Sequence, residues 1–368
     1  MKKRLKDILE YEQPSKYIVD SQNYSDDYQI PVLTAGKSFI LGYTNETEGV
    51  FEASKAPVII FDDFTAASKY VDFDFKVKSS AMKILHLSDP INSLRYVYFA
   101  MQKIDYTPFS HKRIWISDYC NFEIELPTST EQNRIVVELD TIQRAIDLKR
   151  KQLNDLDELV KSKFQEMFGD VKSYKCLREY SSLITKGASP RWQGLSYQES
   201  GTLFITSENV REGYLDVSKA KYLDDEINEL LPRSVLKKGD ILINIVGASI
   251  GRAAIFDIDQ IANINQAVAL VRTKKDEINI LFLIEYLNTK QAMDLYDSMK
   301  QGGARDNLSL KNIADLLIPD IPISKQNDFA TVVRKINELK GVVIKEIDDL
   351  EELLESKMDE YFGEKKEQ

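Results

Sequence analysis

Two stretches decide the fold: EQNRIVVELDTIQRAIDLKRKQLNDLDELVKSKFQEMFGD, residues 131–170, and KQNDFATVVRKINELKGVVIKEIDDLEELLESKMDEYFGE, residues 325–364. They align without a gap at an offset of 194, so that Gln132 meets Gln326, Ile142 meets Ile336, Leu156 meets Leu350, Leu159 meets Leu353 and Phe168-Gly169 meets Phe362-Gly363. A repeat on this scale sets the architecture before any local element is read. In the first copy Leu139, Ile142, Ile146, Leu153, Leu156 and Val160 fall at heptad a and d spacing; in the second, Val333, Ile336, Val343, Ile347, Leu350 and Leu354 do so. Lys149 and Lys340 each interrupt the pattern once. Sustained heptads predict a coiled-coil seam. Pro127 and Pro322 precede the segments and Gly169 and Gly363 close them, the usual start and stop signals of helices. Each copy is expected to be a helix about 57 Å long. The intervening globule lets the chain travel out and return, so the copies are expected to pair antiparallel; packing of each helix on its own globule is the alternative.

Working outward, the chain divides into residues 1–126, 127–170, 171–321 and 322–368, globule and helix in alternation. In the first globule IPVLTAG (30–36), PVIIFDDFTA (57–66), YVDFDFKV (70–77) and SAMKILHL (80–87) read as strands, followed by a helix over 93–104. In the second, TLFITSENV (202–210), GDILINIVG (239–247), GRAAIFDI (251–258) and QAVALVRT (266–273) read as strands, with a helix over 278–299. The same order predicts that the globules repeat as well as the helices. The fold class is therefore α+β: two α/β domains separated by two long antiparallel coiled-coil helices in a pseudo-two-fold internal repeat.

Net charge is −10 over 368 residues, which alone argues against a nucleic-acid partner. Its distribution is informative. The four segments carry −3, −2, −1 and −4, so the short helical segments hold much of the acidity and the second globule is nearly neutral. Basic loops clustered by the fold remain compatible with DNA. No run of about 18 apolar residues suggests a membrane span, and the N-terminus lacks the apolar core of a signal peptide. Cys120 and Cys176 make no metal-type spacing, so a reduced, cytoplasmic setting is expected.

No catalytic motif emerges. GASIGR (247–252) lacks the lysine and spacing of a phosphate-binding loop, and there is no HExxH, CxxC or Asn/Asp-Pro-Pro-Tyr/Phe motif. The pairs Asp62-Asp63 and Asp224-Asp225 read as solvated turn carboxylates. What remains is a set of polar loops mixing Gly, Lys/Arg, amides and hydroxyls: KGASPRWQG (186–194), TSENVREG (206–213), GASIGR (247–252) and QGGARDN (301–307) in the second globule, and TAGKSF (34–39), FTAASKY (64–70) and FSHKRIW (109–115) in the first. Lys and Arg suit phosphates, and Arg, Asn, Gln and Ser suit base edges. The bland reading of each loop is an ordinary turn, and Trp192 fits a loop anchor as well as a DNA contact. The candidate DNA-binding residues are Lys37, Lys69, His111, Lys112 and Arg113 in the first globule. In the second they are Lys186, Arg191, Asn209, Ser249, Arg252, Arg305 and Asn307. Arg113 and Arg305 stand at comparable places before IWIS and NLSL and rank first for phosphate contact.

The two-fold layout, with LPTSTEQNRIV (126–136) echoed as IPISKQNDFA (321–330), resembles the specificity subunits of type I restriction–modification systems. KKGDILINIVGASIGRAAIFD (237–257), ANINQAVALVR (262–272) and GGARDNLSL (302–310) resemble the core of one recognition domain of that family; IPVLTAGKSFILGYTNE (30–46) and APVIIFDDFTAASKYVDFDFKVKSSAMKIL (56–85) resemble another. Lys325-Gln326 departs slightly from the usual Glu-Gln. The resemblance implies a non-catalytic subunit whose two target-recognition domains each read half of a split double-stranded DNA target. The helices would act as a ruler, with half-sites centred up to roughly 15 base pairs apart. They would also dock two modification subunits, with Leu139, Ile142, Leu153, Leu156, Val333, Ile336, Ile347 and Leu350 as the helical partner-binding candidates. S-adenosylmethionine would belong to the modification subunits, and ATP and Mg to further restriction subunits. No metal, cofactor or membrane is expected for this chain. The rival readings are a specificity chain serving a fused methyltransferase–nuclease of type II, a non-DNA coiled-coil scaffold and an enzyme in its own right.

Overall fold

A computed structural model describes residues 1–35, 38–108, 112–300 and 306–363. They group into two units, Met1–Arg150 with Lys345–Gln368, and Lys151–Ile344. Each unit holds one globular head and half of each long helix.

The first head contains β1 (Lys2–Arg4), β2 (Leu9–Glu12), β3 (Ile30–Leu33), β4 (Ile40–Thr44), β5 (Val58–Asp62), β6 (Ser68–Val71), β7 (Lys76–Val77), β8 (Met82–Leu87), α1 (Leu94–Gln102) and β9 (Glu123–Glu125), and runs into α2 (Ser129–Phe168). Antiparallel strands form a sheet in the order β2-β8-β5-β6, and a second sheet runs β4-β3-β7 with β3 and β7 parallel. β1 and β9 pair antiparallel and bring the ends of the head together. Every residue of β5 is buried because both its faces are covered. Ile59 and Phe61 face a core shared with Tyr96 and Val97 of α1, while Val58 and Ile60 face Leu33 and Val77 of the other sheet. Side chains alternate along a strand, so this two-sided burial explains the unbroken apolar run VIIF.

The second head repeats this plan strand for strand. Its elements are β10 (Tyr174–Cys176), α3 (Leu177–Tyr180), β11 (Ser181–Lys186), β12 (Thr202–Ile205), β13 (Lys221–Leu223), α4 (Glu226–Leu230), β14 (Ile241–Asn244), β15 (Ala253–Ile255), β16 (Ala262–Ile264), β17 (Val268–Thr273), α5 (Ile280–Leu287), α6 (Lys290–Met299), α7 (Leu310–Ala314) and β18 (Leu317–Pro319), followed by α8 (Ile323–Phe362). The sheets run β11-β17-β14-β15 and β13-β12-β16, the latter with β12 and β16 parallel, and β10 pairs with β18. β14 is sandwiched as β5 is: Ile241 and Ile243 face Phe282 and Tyr286 of α5, and Leu242 faces Leu203 and Ile264.

Two local expectations change. The stretch 70–77 is not one strand, because residues 72–75, with Asp72 and Asp74 among them, carry the chain from β6 in one sheet to β7 in the other. The helix over 278–299 is two helices. Asn288 ends α5, and Thr289 caps α6 by accepting the Ala292 N–H on its hydroxyl.

The long helices pair antiparallel within each unit. In the first, the α2 partner rises from Glu138 to Lys149 as the α8 partner falls from Lys357 to Glu346. In the second, Asp157 bonds Lys340 and Phe164 meets Phe329 edge-on at 5.5 Å between ring centroids. Leu139, Val333 and Ile336 are buried in the cores of their units, Ile142 and Ile347 are also buried, and Leu153, Leu156 and Leu350 are half-buried. These eight heptad residues are taken up mainly by the chain's own packing, each full burial contributing about 1.5–3 kcal/mol. The interrupting lysines face carboxylates: Lys149 pairs with Glu346 at 2.7 Å, and Lys340 with Asp157.

Candidate nucleic-acid interface

In the second head, the loops 186–194, 206–213 and 247–252, with Asp306 and Asn307 of the fourth stretch singled out in the sequence, meet at one end of the sheets. Their junction is Asn244, the last residue of β14, which is fully buried. Its Nδ2 donates to the Ser207 carbonyl at 3.0 Å and to Ser249 Oγ at 3.1 Å, tying the 206–213 loop to the 247–252 turn. The Gly247 N–H donates to the Asp306 carbonyl, and Val246 bridges Asn307, which fixes the end of the 301–307 loop beside that turn. Gly187 closes the set: a Cβ there would lie 1.6 Å from the Ile264 carbonyl oxygen, next to the Asn265-to-Ile205 hydrogen bond. Only glycine allows that approach. Gly251, at φ +91°, similarly lets the 247–252 turn rest on Tyr296 and Met293 of α6.

The candidate side chains divide by role. Lys186 ends β11 exposed, and Arg191 is exposed on the 3₁₀ turn Pro190–Gln193 beside Trp192. Trp192 is 81% exposed, so it does not anchor the loop; Pro190 is the buried residue of that turn. Asn307 is exposed and Arg252 half-buried, its guanidinium 4.0 Å from Glu212. Asn209 is different. It is 5% exposed; its Oδ1 accepts from Thr206 N at 2.8 Å and Thr206 Oγ1 at 3.0 Å, and its Nδ2 donates to the Asp216 carbonyl. That amide is occupied in shaping its own loop, as a turn-forming Asn often is. Ser249 is half-buried and accepts from Asn244. Within the same loop region the Lys221 ammonium, donating at 2.8 Å, holds the Glu208 carboxyl below its ordinary range. Arg305 lies outside the described residues.

The first head gathers its loops at the corresponding end. The β3–β4 hairpin contributes Thr34, Ala35 and Phe39, and the β5–β6 turn Asp62, Ala67 and Lys69, to a cavity of about 160 Å³. Lys69 is exposed at its edge. Lys112 and Arg113 are exposed, while the next two residues, Ile114 and Trp115, are buried. Lys37 and His111 lie outside the described residues. The Ile114 N–H donates to the Asp63 carbonyl at 3.0 Å, as the Leu308 N–H donates to the Ile245 carbonyl at 2.9 Å. Ile114 and Leu308 are therefore equivalent, which pairs Arg113 with Asn307. The comparable placing of Arg113 and Arg305 is corrected by two residues.

The carboxylate pair also needs correction. Asp62 ends β5 buried, at 6% exposure, and shapes the following turn by accepting from Phe64 N and Thr65 Oγ1, whereas exposed Asp224 is a turn carboxylate accepting from Glu226 N. Asp63, however, is 1% exposed and faces the equally buried Lys83 at 3.3 Å. Sequence reasoning also missed Asn244; the signal was a lone amide inside the apolar run ILINIV, where a buried polar group needs partners. Among the described residues, no group of three or more His, Cys, Asp or Glu could hold a metal ion, and no helix is long and apolar enough to cross a membrane.

Comparisons with known proteins agree with this layout. The type I restriction modification DNA specificity domain matches residues 1–158 and 195–348. The chain is 31% identical over 364 aligned residues to the type I restriction enzyme EcoR124I/EcoR124II specificity subunit of Escherichia coli, covering 92% of this chain and 87% of that protein. It is 24% identical over 245 residues to the EcoBI specificity subunit of the same species, covering 59% of this chain and 51% of that one. The fold is similar to the crystal structure of a type I restriction-modification system S subunit from M. genitalium, with 15% identity, a TM-score of 0.53 and coverage of 100% of this chain and 96% of that chain. Two heads of one topology, each ending in polar loops and each leading into a long helix, together with these matches, place the chain: it belongs to the type I restriction–modification DNA specificity family.

Proposed function

We propose that this chain is the sequence-reading subunit of a type I restriction–modification complex, in which each head reads one half of a divided double-stranded DNA target. The observation that carries the reading is one strand topology used twice, with different side chains on the loops at the same end. The first head offers Lys69, Lys112 and Arg113 there; the second offers Lys186, Arg191, Trp192, Arg252 and Asn307. Equal frames with unequal loops fit a protein that reads two different half-sites. The helices hold the spacing between them.

The helices also carry a surface for partners. With the heptad residues largely turned inward, Leu148 is 68% exposed and its repeat counterpart Val342 57%; Leu159 is 43% exposed and its counterpart Leu353 44%. Apolar positions kept outward in both copies suit two like partners, which supports docking of two modification subunits. Those subunits would bring S-adenosylmethionine and the methyl-transfer chemistry, and restriction subunits would bring ATP and Mg, while this chain contributes recognition and assembly. A DNA target of this kind puts the complex in the cytoplasm.

The net charge of −10 fits if the modification subunits supply much of the phosphate neutralisation. The test is DNA affinity of the chain alone against the chain with its modification subunits, across a salt series. The reading expects weak binding alone and tight, salt-dependent binding in the complex. Strong, salt-insensitive binding by the isolated chain contradicts it.

A further inference from the structure

The buried Asp63–Lys83 pair of the first head is matched at the equivalent places of the second by apolar residues. Cross-strand register pairs Phe61 with Lys83 in one head and Ile243 with Ala269 in the other, and the N–H groups of Asp63 and Ile245 donate to Ala81 and Ala267 in turn. Asp63 and Lys83 therefore occupy the places of Ile245 and Ala269. All four are buried, at 1% exposure or less. The second head builds the same sheet with two apolar residues, so the sheet itself does not require the charges. Burying an ion pair seldom gains stability over an apolar pair, since both ions lose their hydration.

What the charges add is a grip on one loop. Asp63 Oδ1 accepts from the backbone N–H groups of Ile114 at 3.1 Å and Trp115 at 2.8 Å. Its other oxygen faces the Lys83 ammonium at 3.3 Å, and that ammonium lies over the Tyr11 ring, 4.9 Å from its centroid. In the second head the loop base is held at this point by the main-chain bond from Leu308 to Ile245. The first head has the same main-chain bond from Ile114 to Asp63, and the Asp63 carboxylate adds to it by sharing the Ile114 N–H and taking the Trp115 N–H, directly behind exposed Arg113 and Lys112. A carboxylate accepting two N–H groups and fixed by a buried cation leaves the chain at 113–115 little freedom to rotate.

We propose that Asp63 and Lys83 are positioning residues for DNA recognition, a clamp that sets where Lys112 and Arg113 meet the half-site read by the first head. The proposal rests on the functional reading above and names the element that fixes specificity in one head only. Pairing of a side chain with a base edge or phosphate depends on geometry at the level of a hydrogen bond, so a loosened loop base blurs discrimination without unfolding the head.

The test is D63I/K83A, which installs the second head's own residues, assayed in complex with the modification subunits. Melting of the variant is followed, and affinity is measured for the cognate duplex and for duplexes with one or the other half-site scrambled. The clamp predicts a folded protein whose discrimination at one half-site falls about tenfold, with the other half-site unchanged within about twofold. Unchanged discrimination at both halves, an equal fall at both, or failure to fold overturns it. A wild-type complex that discriminates at neither half-site brings down the functional reading instead, which separates the two failures.

Discussion

Gln132 and Gln326, 194 residues apart and both 1% exposed, make the same connection in their two units. Gln132 Oε1 accepts the Ser93 N–H at 2.9 Å and its Nε2 donates to the Pro127 carbonyl; Gln326 Oε1 accepts the Asn279 N–H at 2.9 Å and its Nε2 donates to the Ile321 carbonyl. Ser93 and Asn279 are the N-caps of α1 and α5. Each glutamine thus joins the first turn of a long helix to the first turn of its head's helix. That explains why the pair survives in the repeat. Gln132→Ala and Gln326→Ala should each destabilise the chain by about 1–3 kcal/mol, because buried donors and acceptors are left without partners. Urea unfolding of the two variants checks this; a loss in only one of them shows the connections are not equivalent.

Glu285 on α5 stands near Lys340, Asp157 and Lys161, and burial raises its carboxyl to about 7. A folded value above the unfolded one means the folded state holds its proton longer. The contribution of Glu285 to stability is therefore fully present below the unfolded value, near 4.5, and is lost as pH rises toward 7. Glu285→Gln should stabilise the protein by about 1–3 kcal/mol at pH 8 and by progressively less toward pH 5. Thermal unfolding across that range is the check, and a benefit independent of pH counts against the assignment.

Trp192 and Asn209 should separate binding from structure. Trp192→Ala removes a side chain that is mostly solvent-exposed, so melting should hold while DNA affinity of the complex drops. Asn209→Ala removes three hydrogen bonds inside the 206–216 loop and should cost about 1–3 kcal/mol of stability. Calorimetry paired with DNA titration distinguishes them; a stability loss for Trp192→Ala reverses its placement.

Arg113→Ala and Arg305→Ala should each weaken binding to all sequences about equally and lower the slope of log affinity against log salt by about one. A changed target sequence makes the residue a base reader instead.

The repeat, the limits of the two long helices and the doubled strand order were legible because they rest on periodicity and on Pro and Gly at fixed places. The edge strands were not. β13 and β16 are three-residue strands whose pairing is settled by neighbours distant in sequence. At the site, the loops could be named from Lys, Arg and Gly content, but their shared junction could not. Asn244 left a signal as the lone amide in an apolar run, but its partners, like those of Asp63, become visible only in the folded head. Asn209 shows the converse: an amide suited by type to a base edge is already engaged by Thr206 and Asp216.

The most direct test of the account is methylated-adenine mapping of a host carrying this chain with its modification subunit, with and without exchange of residues 171–321 for the second recognition domain of another specificity subunit. The account predicts a bipartite motif, lost when this chain is deleted and altered in one half only by the exchange. A motif that persists without the chain, or one that changes in both halves at once, contradicts it.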